Sequence, residues 1–197
     1  MEIRKFTQAE RPQGQAQRQL PIEEVTQELP NTNQLVVPNP LIESSILLIN
    51  QRIKDEYAAH FFYRNAANWC RNKNYTKAAT FFDNEASSEL EHAKGLQEYL
   101  IDFNIQPVIE QTDTNRMFNS LVEIIGEAYK MEYTLMLTYN TNSSELFTSD
   151  LTTFDFLQEY RKIQKDAVVE YSDLLNALQL VDYNDKFQVL YFEQTYF

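Results

Sequence analysis

The chain has 197 residues, which fits one domain with some additional sequence. Its net charge of −12 at pH 7 makes binding of nucleic acid unlikely and suits a protein that handles cations, although acidity can also serve solubility alone. The sequence has one cysteine, no apolar run of about 18 residues and no secretory signal, which predicts a cytoplasmic protein without disulfides or a membrane span.

The first segment, residues 1–38, differs in composition from the rest. Gln, Pro, Glu, Thr and Asn dominate it, and no helical periodicity persists. We expect an extended, weakly ordered N-terminal arm. The arm could bind a partner, and the apolar residues 35–37 could dock on a neighbour.

Two helices are predicted next. Asn39 and Pro40 form a good helix start, so the first helix should span about 40–72. Asn74 can cap a second helix over about 75–103. The inward-facing stripes contain, among apolar residues, the polar side chains Glu56 and His60 in the first helix and Glu85, Glu89 and His92 in the second.

Two further helices follow a connection over 104–114. A third helix is predicted at about 115–142, with Glu132 inward, and a turn at 140–149. A fourth helix is predicted at about 150–180, with Gln164 inward, and a short C-terminal helix lies within 181–197. Long helices with few glycines are typical of an all-α, up-down four-helix bundle, here over residues 39–180.

The buried polar residues predict a metal site. Glu89 and His92 are three residues apart, which places both on one helix face. Thirty-three positions separate Glu56 from Glu89, and 32 separate Glu132 from Gln164, so each pair returns to one level in an antiparallel hairpin. An apolar core tolerates such groups when a cation neutralises them, and these ligand types suit iron, manganese or zinc.

At these positions the chain resembles the ferritin family, over roughly residues 40–195. The resemblance is carried by Glu56 followed by Tyr63, by Glu89 with His92, by Tyr129-Lys130-Met131-Glu132, and by Phe154-Asp155-Phe156-Leu157-Gln158 followed by Gln164. It implies a ferritin-like bundle with a long crossover that oxidises Fe²⁺ with O₂ or H₂O₂ and stores ferric mineral. It also implies a homo-oligomer, a shell of 24 subunits, in which the C-terminal helix could line an axis.

The resemblance also implies roles for individual residues. Glu56, Glu89 and His92 would hold a first iron, with Glu89 bridging. Glu132 would hold a second iron together with Glu89, and Gln164 would lie nearby. Tyr63 would donate a hydrogen bond at the site or supply an electron. We therefore expect two irons per subunit and no haem.

Departures from related patterns narrow the prediction. The fourth helix has no second Glu-x-x-His, which argues against a bacterioferritin or rubrerythrin, and the DNA-binding mini-ferritins show no match. Bacterial ferritins often have a third iron site, but Ser88, Ile163 and Ala167 occupy its positions here, so we expect it to be missing or weak.

Several assignments remain alternatives. His60 is either a ligand or a hydrogen-bonded core histidine, and Glu85 is either an accessory ligand or a partly exposed acid at the bundle edge. Cys70 and Trp69 are expected to be packing residues. The chain itself could instead be a structural or cargo subunit of a capsid or encapsulating shell, docked through its arm, or a di-iron oxidase of an organic substrate.

Overall fold

The computed structural model describes residues 41–197, and these residues form five α-helices and no strand. The predicted arm over 1–38 and the residues Asn39-Pro40 lie outside this part of the chain, but residues 41 and 42 are not helical, so the first helix begins at Glu43, three residues later than predicted. The helices are α1 (Glu43–Asn72), α2 (Thr76–Asp102), α3 (Leu121–Ser149), α4 (Leu151–Leu178) and α5 (Lys186–Tyr196). The predicted all-α four-helix bundle is confirmed. In the described residues, none of the helices is both long and apolar enough to cross a membrane.

The long connection between α2 and α3 runs alongside α1 in the same direction. The backbone N–H of Val108 donates to Asn50 (2.8 Å), Lys54 pairs with Glu110 (2.5 Å), and Asn65 donates to the carbonyl of Thr114 (2.8 Å). The connection therefore returns the chain to the end of the bundle where α1 finishes. As a result α3 runs antiparallel to α1, and α4, which follows after one residue, runs parallel to it.

The start of α3 corrects the predicted boundary. The helix begins at Leu121, six residues later than expected, because Ser120 caps it by accepting a hydrogen bond from the backbone N–H of Glu123 (3.0 Å). The Glu123 carboxylate accepts in turn from the backbone N–H of Asn119 (2.7 Å). Two orphan N–H groups at the helix start are satisfied in this way, which resembles a capping box.

The predicted turn at 140–149 is wrong, because this segment completes α3. Its Asn, Thr and Ser residues have low helix propensity. However, Tyr139, Ser143 and Leu146 are all buried, at the i, i+4, i+7 spacing of one helix face. Packing of this face outweighs the local preference, and the chain reverses only at Asp150.

The predicted cap at Asn74 is also wrong. Asn74 has a φ of +62°, a left-handed conformation that Asn tolerates and that ends α1. The N-cap of α2 is Tyr75, whose side chain makes no capping hydrogen bond. Glu193 of α5 supplies the cap instead, accepting from the backbone N–H groups of Lys77 (2.7 Å) and Ala78 (3.0 Å).

The core consists of two apolar clusters along the bundle. One contains Phe62, Phe82 and Phe192 near the α5 end, and the other contains Ile53, Leu96 and Leu157 toward the opposite end. Each large side chain buried in this way contributes about 1.5–3 kcal/mol. The predicted polar residues lie at the level between the two clusters.

Candidate metal centre

The four helices of the bundle each contribute a polar residue to its centre. Glu56, Glu89, Glu132 and Gln164 are buried, and the side chain of His92 is 19% exposed. Each side chain is placed by a long amphipathic helix whose apolar neighbours pack on both sides of it. The glutamates and the glutamine that the sequence spacing predicts at one height of the bundle are thus buried polar side chains.

Glu56, Glu89 and His92 form a compact group. Nδ1 of His92 lies 3.1 Å from Oε2 of Glu89 and 3.6 Å from Oε2 of Glu56. One potential ligand atom from each of the three residues lies within 4.8 Å of the others. The Glu89–His92 contact follows from the i, i+3 spacing on α2, and the α1–α2 hairpin brings Glu56 to it. Two carboxylates and an imidazole in this arrangement can bind one divalent cation.

Glu132 and Gln164 lie at the centre but outside this compact group. Oε1 of Glu132 accepts a hydrogen bond from the hydroxyl of Tyr63. Among the buried side-chain oxygens without a hydrogen-bond partner in the described part of the chain, three belong to predicted ligands: Oε2 of Glu56, Oε2 of Glu132 and Oε1 of Gln164. All three are acceptors, and unpaired buried acceptors are rare in folded proteins. This donor set therefore fits cations coordinated by carboxylate and amide oxygens.

Burial and mutual repulsion strongly perturb the acids. Burial, and then the charges of Glu56 and Glu132, raise the pKa of Glu89 well above its usual range, although His92 opposes the shift. Burial also raises the pKa of Glu132 to about 7, against the hydrogen bond from Tyr63. Burial opposes ionisation of Glu56 too, but the neighbouring His92 and Glu89 side chains and the hydrogen bond from Tyr139 hold its pKa below the ordinary value.

The pKa of the His92 imidazole is raised, although burial by itself lowers the pKa of a histidine. Burial alone would lower the pKa of His92, but the neighbouring Glu56 and Glu89 carboxylates raise it to about 10. In the metal-free centre these shifts favour the protonated forms of Glu89 and His92 at neutral pH. Metal cations compete for the same oxygen and nitrogen atoms, so their binding releases these protons.

Tyr139 is a residue of the centre that sequence reasoning placed only in the apolar stripe of the third helix. Its hydroxyl donates to Oε1 of Glu56, and its ring is completely buried. Burial and the Glu56 charge raise the pKa of Tyr139 well above 10.0. Since Tyr139 follows Glu132 by seven residues, or two helical turns, the spacing could have indicated its place on the same face.

Tyr160 contacts the backbone that carries His92. Its hydroxyl donates to the carbonyl of His92 (3.0 Å), and its ring stacks on Tyr139 with centroids 5.8 Å apart. The approach requires Gly95, because a Cβ atom at that position would lie only 2.6 Å from the Tyr160 hydroxyl. Sequence reasoning assigned no role to Gly95, although it is one of only 3 glycines in the chain.

The structure shows the contacts of His60 and Glu85, for which the sequence allowed two interpretations each. Nδ1 of His60 lies 2.5 Å from the carbonyl oxygen of Ala86, the contact of a hydrogen-bonded core histidine. Glu85 is half-buried, and burial and then the charge of Glu170 raise its pKa to about 7. Cys70 is buried, and Trp69 stacks on Tyr75 at 6.0 Å, as expected for packing residues.

The third-site positions carry no carboxylate. Ser88 is exposed, and Ile163 and Ala167 are half-buried. Asp166 is exposed and pairs with Lys165 at 2.8 Å. The compact group of candidate ligands is therefore Glu56, Glu89 and His92, and Glu132 and Gln164 are further buried polar residues of α3 and α4.

The chain is similar in sequence to known bacterial proteins. The chain is 26% identical over 143 residues to a bacterial non-heme ferritin of Campylobacter jejuni, covering 72% of this chain and 86% of that protein. It is 25% identical over 148 residues to a probable bacterial non-heme ferritin-like protein of Haemophilus influenzae, covering 74% and 90%.

The fold is shared with a solved structure. An open pore ferritin from the archaeon Archaeoglobus fulgidus superposes with a TM-score of 0.73 at 16% identity, covering 79% of this chain and 97% of that one. The family model described as Ferritin, a ferritin-like domain, matches residues 46–181, and this stretch contains all five predicted ligands. The chain therefore belongs to the ferritin-like domain family.

Proposed function

We propose that this protein is a ferroxidase that oxidises Fe²⁺ at a two-iron site and stores the ferric product. The observation that carries the proposal is the set of three unpaired buried acceptor oxygens beside the Glu56–Glu89–His92 group. A scaffold has no need for such groups, whose burial without partners is costly. The similarity of this chain to a protein of Campylobacter jejuni that is named a bacterial non-heme ferritin also supports this proposal.

The ligands divide between two iron positions. Glu56, Glu89 and His92 hold the first Fe²⁺, since their ligand atoms already lie within 4.8 Å of one another. Glu132 and Gln164 hold the second, with Glu89 bridging. A Glu-x-x-His pair on one helix with single glutamates from neighbouring helices is a known di-iron arrangement, for which ferritin-like proteins are the standard example.

The chemistry requires little of the protein beyond positioning and proton management. Each Fe²⁺ gives one electron to O₂, and the reduced oxygen takes up protons. Glu89 and His92 give up their protons when they bind the metal. Tyr139 and Tyr63 each donate a hydrogen bond to one carboxylate oxygen, which fixes Glu56 and Glu132 with the other oxygen directed to a cation.

Storage requires a closed assembly, and α5 has a surface suited to one. One face of α5 is buried through Val189 and Phe192, whereas Phe187 is 74% exposed and Tyr191 is 65% exposed. An exposed apolar stripe opposite a buried one indicates contact with another copy of the chain. We propose a homo-oligomeric shell, with 24 subunits as the expected number.

The decisive experiment adds Fe²⁺ aerobically to metal-free full-length protein and follows ferric absorbance. The test variant is Glu89→Ala/His92→Ala, and the control is Glu91→Ala, which removes an exposed acid of the same helix. Rapid oxidation that continues past two irons per subunit in the wild type and the control, and is lost in the double variant, is the expected result. The mass of the assembly is measured on the same samples.

Other outcomes select among the remaining functions. Oxidation that stops near two irons per subunit would exclude storage and leave a di-iron oxidase. Oxidation no faster than in the double variant would overturn the ferroxidase and favour a structural or cargo subunit.

A further inference from the structure

Tyr171 is a buried polar residue that the proposed site does not use. Its side chain is completely inaccessible to solvent, and its hydroxyl has no hydrogen-bond partner among residues 41–197. Such a hydroxyl destabilises a core, and phenylalanine would fill the same space without that cost. A redox role is one of the few explanations for an unpaired buried polar group.

The position of Tyr171 links it to the metal centre through one ring. It stacks on Tyr63, with ring centroids 6.0 Å apart and an interplanar angle of 10°. Tyr63 is also completely buried, and its hydroxyl donates to the proposed ligand Glu132. Phe82 stacks against Tyr63 as well, at 6.1 Å and 15°. Among the three stacked rings, two carry an oxidisable phenol group.

We propose that Tyr171 is a second electron donor of the ferroxidase reaction and acts through Tyr63. The inference rests on the proposed function, since the oxidant is the O₂ consumed there. Tyr63 supplies one electron to the centre from its position against Glu132. Tyr171 supplies another by reducing the oxidised Tyr63 across the stacked rings.

The electrons and protons balance for complete reduction of O₂. Two Fe²⁺ and two tyrosines each give one electron, and each tyrosine also releases its phenolic proton. With two further protons from solvent, one O₂ becomes two H₂O, leaving two Fe³⁺ and two neutral tyrosyl radicals, one on each side chain. Two more Fe²⁺, with two protons, then reduce the radicals to tyrosine. In sum, four Fe²⁺, one O₂ and four protons give four Fe³⁺ and two H₂O, and no H₂O₂ is released.

Each phenol has an acid near it that can take up the proton. The carboxylate of Glu132 accepts the hydrogen bond from Tyr63. Burial and then the charge of Glu85 on α2 raise the pKa of the Tyr171 hydroxyl.

A structural role for Tyr171 predicts different behaviour. If the ring served only packing, Tyr171→Phe would keep the stack with Tyr63 and leave the reaction unchanged. Removal of the unpaired hydroxyl should maintain or raise the thermal midpoint of the variant. A changed reaction in a protein that is at least as stable cannot be attributed to misfolding.

The test compares full-length wild type, Tyr171→Phe, Tyr63→Phe and the control Tyr99→Phe. Tyr99 is a buried tyrosine of the other cluster, stacked on Phe156 at 3.9 Å. Samples are mixed with Fe²⁺ and O₂ and frozen within milliseconds for electron paramagnetic resonance. Parallel samples give the number of Fe²⁺ oxidised per O₂ and the H₂O₂ released.

The expected results separate the variants. Wild type and Tyr99→Phe should show tyrosyl radical, oxidise about four Fe²⁺ per O₂ and release little H₂O₂. Tyr171→Phe should lose about half of the radical signal and release H₂O₂, and Tyr63→Phe should lose the signal almost completely. An unchanged radical yield and Fe²⁺-to-O₂ ratio in Tyr171→Phe would overturn the inference but leave the ferroxidase intact. Absence of Fe²⁺ oxidation in the wild type would overturn the proposed function and this inference together.

Discussion

The hydroxyl of Tyr139 on α3 donates a hydrogen bond to Oε1 of Glu56 on α1, although 83 residues separate them in the sequence. Both side chains are completely buried. The other oxygen of Glu56 has no partner within the described residues and is the one nearest His92. Tyr139 thus fixes which oxygen of Glu56 is left for a cation.

Replacement of Tyr139 by phenylalanine should destabilise the metal-free protein. The variant removes the hydrogen-bond donor of Oε1, so that neither oxygen of the buried Glu56 carboxylate is paired. The loss should lower the free energy of unfolding by about 1–3 kcal/mol. Urea unfolding of metal-free protein measures the loss, with Tyr133→Phe, a partly exposed tyrosine of the same helix, as the control. A stability equal to that of the control would show that the hydrogen bond contributes nothing.

Asp150, the residue between α3 and α4, should make the free energy of unfolding depend on pH in the acid range. Its carboxylate accepts from the backbone N–H of Thr153 (3.1 Å), from the Thr153 hydroxyl (2.6 Å) and from Ser45 (2.7 Å). Burial opposes ionisation, but these hydrogen bonds outweigh it and hold the pKa of Asp150 below 3.8. A depressed pKa in the folded state gives stability that is present above the unfolded value and is lost as pH falls through the folded value.

Asp150→Ala should therefore reduce the free energy of unfolding by about 0.5–2 kcal/mol at neutral pH, as for other N-cap removals. The difference from wild type should shrink below the ordinary pKa of 3.8. Denaturant unfolding at neutral pH and at several values below 4 measures both effects. A difference that stays constant with pH would show that the charge of Asp150 is not involved.

The sequence predicts the parts of the fold that depend on periodicity. Glu56, Glu89, Glu132 and Gln164 stand out because a polar residue in an apolar stripe is visible without coordinates. The structure brings Glu56, Glu89 and His92 together, and their role as ligands of a first iron stays a prediction. Its distances could be anticipated because helix geometry fixes the spacing of side chains on one face.

The remaining errors arise where a distant segment decides the local structure. The polar run at 140–149 looks like a turn, but Ser143 and Leu146 pack into the bundle and keep it helical. Asn74 looks like an N-cap, but Glu193 performs that role from a helix more than a hundred residues away. Local composition contains no information about either contact, because propensity is a weak prior that tertiary packing overrides.

Glu193 should be essential for docking of α5 on α2. It is completely buried, and its Oε1 accepts from the backbone N–H groups of Lys77 and Ala78 at the start of α2. Glu193→Ala removes the only side-chain cap of α2 in the described part of the chain, so we expect a loss of about 0.5–2 kcal/mol in the free energy of unfolding.

A conservative replacement separates the acceptor from the charge. Glu193→Gln keeps an oxygen for the same N–H groups but loses the favourable interaction with the helix dipole, about 0.3–1 kcal/mol, and the hydrogen bond that Oε2 accepts from Gln194. Thermal unfolding and proteolysis at the α4–α5 connection measure the two variants. Equal stability of Glu193→Ala and wild type would show that α5 is held by its apolar contacts alone.

Gly95 and Tyr160 should be energetically coupled. Alanine in place of glycine within a helix normally stabilises a protein by about 1 kcal/mol. At Gly95, however, the added Cβ would lie 2.6 Å from the Tyr160 hydroxyl and displace it from the His92 carbonyl. The Tyr160 ring cannot easily yield, because it packs between Tyr139 and Phe156. We therefore expect Gly95→Ala to destabilise the wild type.

The same change should stabilise the Tyr160→Phe variant, because removal of the hydroxyl removes the close contact. Unfolding of wild type, both single variants and the double variant forms a double-mutant cycle, with an expected coupling of about 1–3 kcal/mol. Gly126→Ala is the matched control, since a Cβ at Gly126 meets no atom within 4 Å and should stabilise both backgrounds equally. If Gly95→Ala changes stability by the same amount with and without the Tyr160 hydroxyl, the close approach at His92 does not constrain this position.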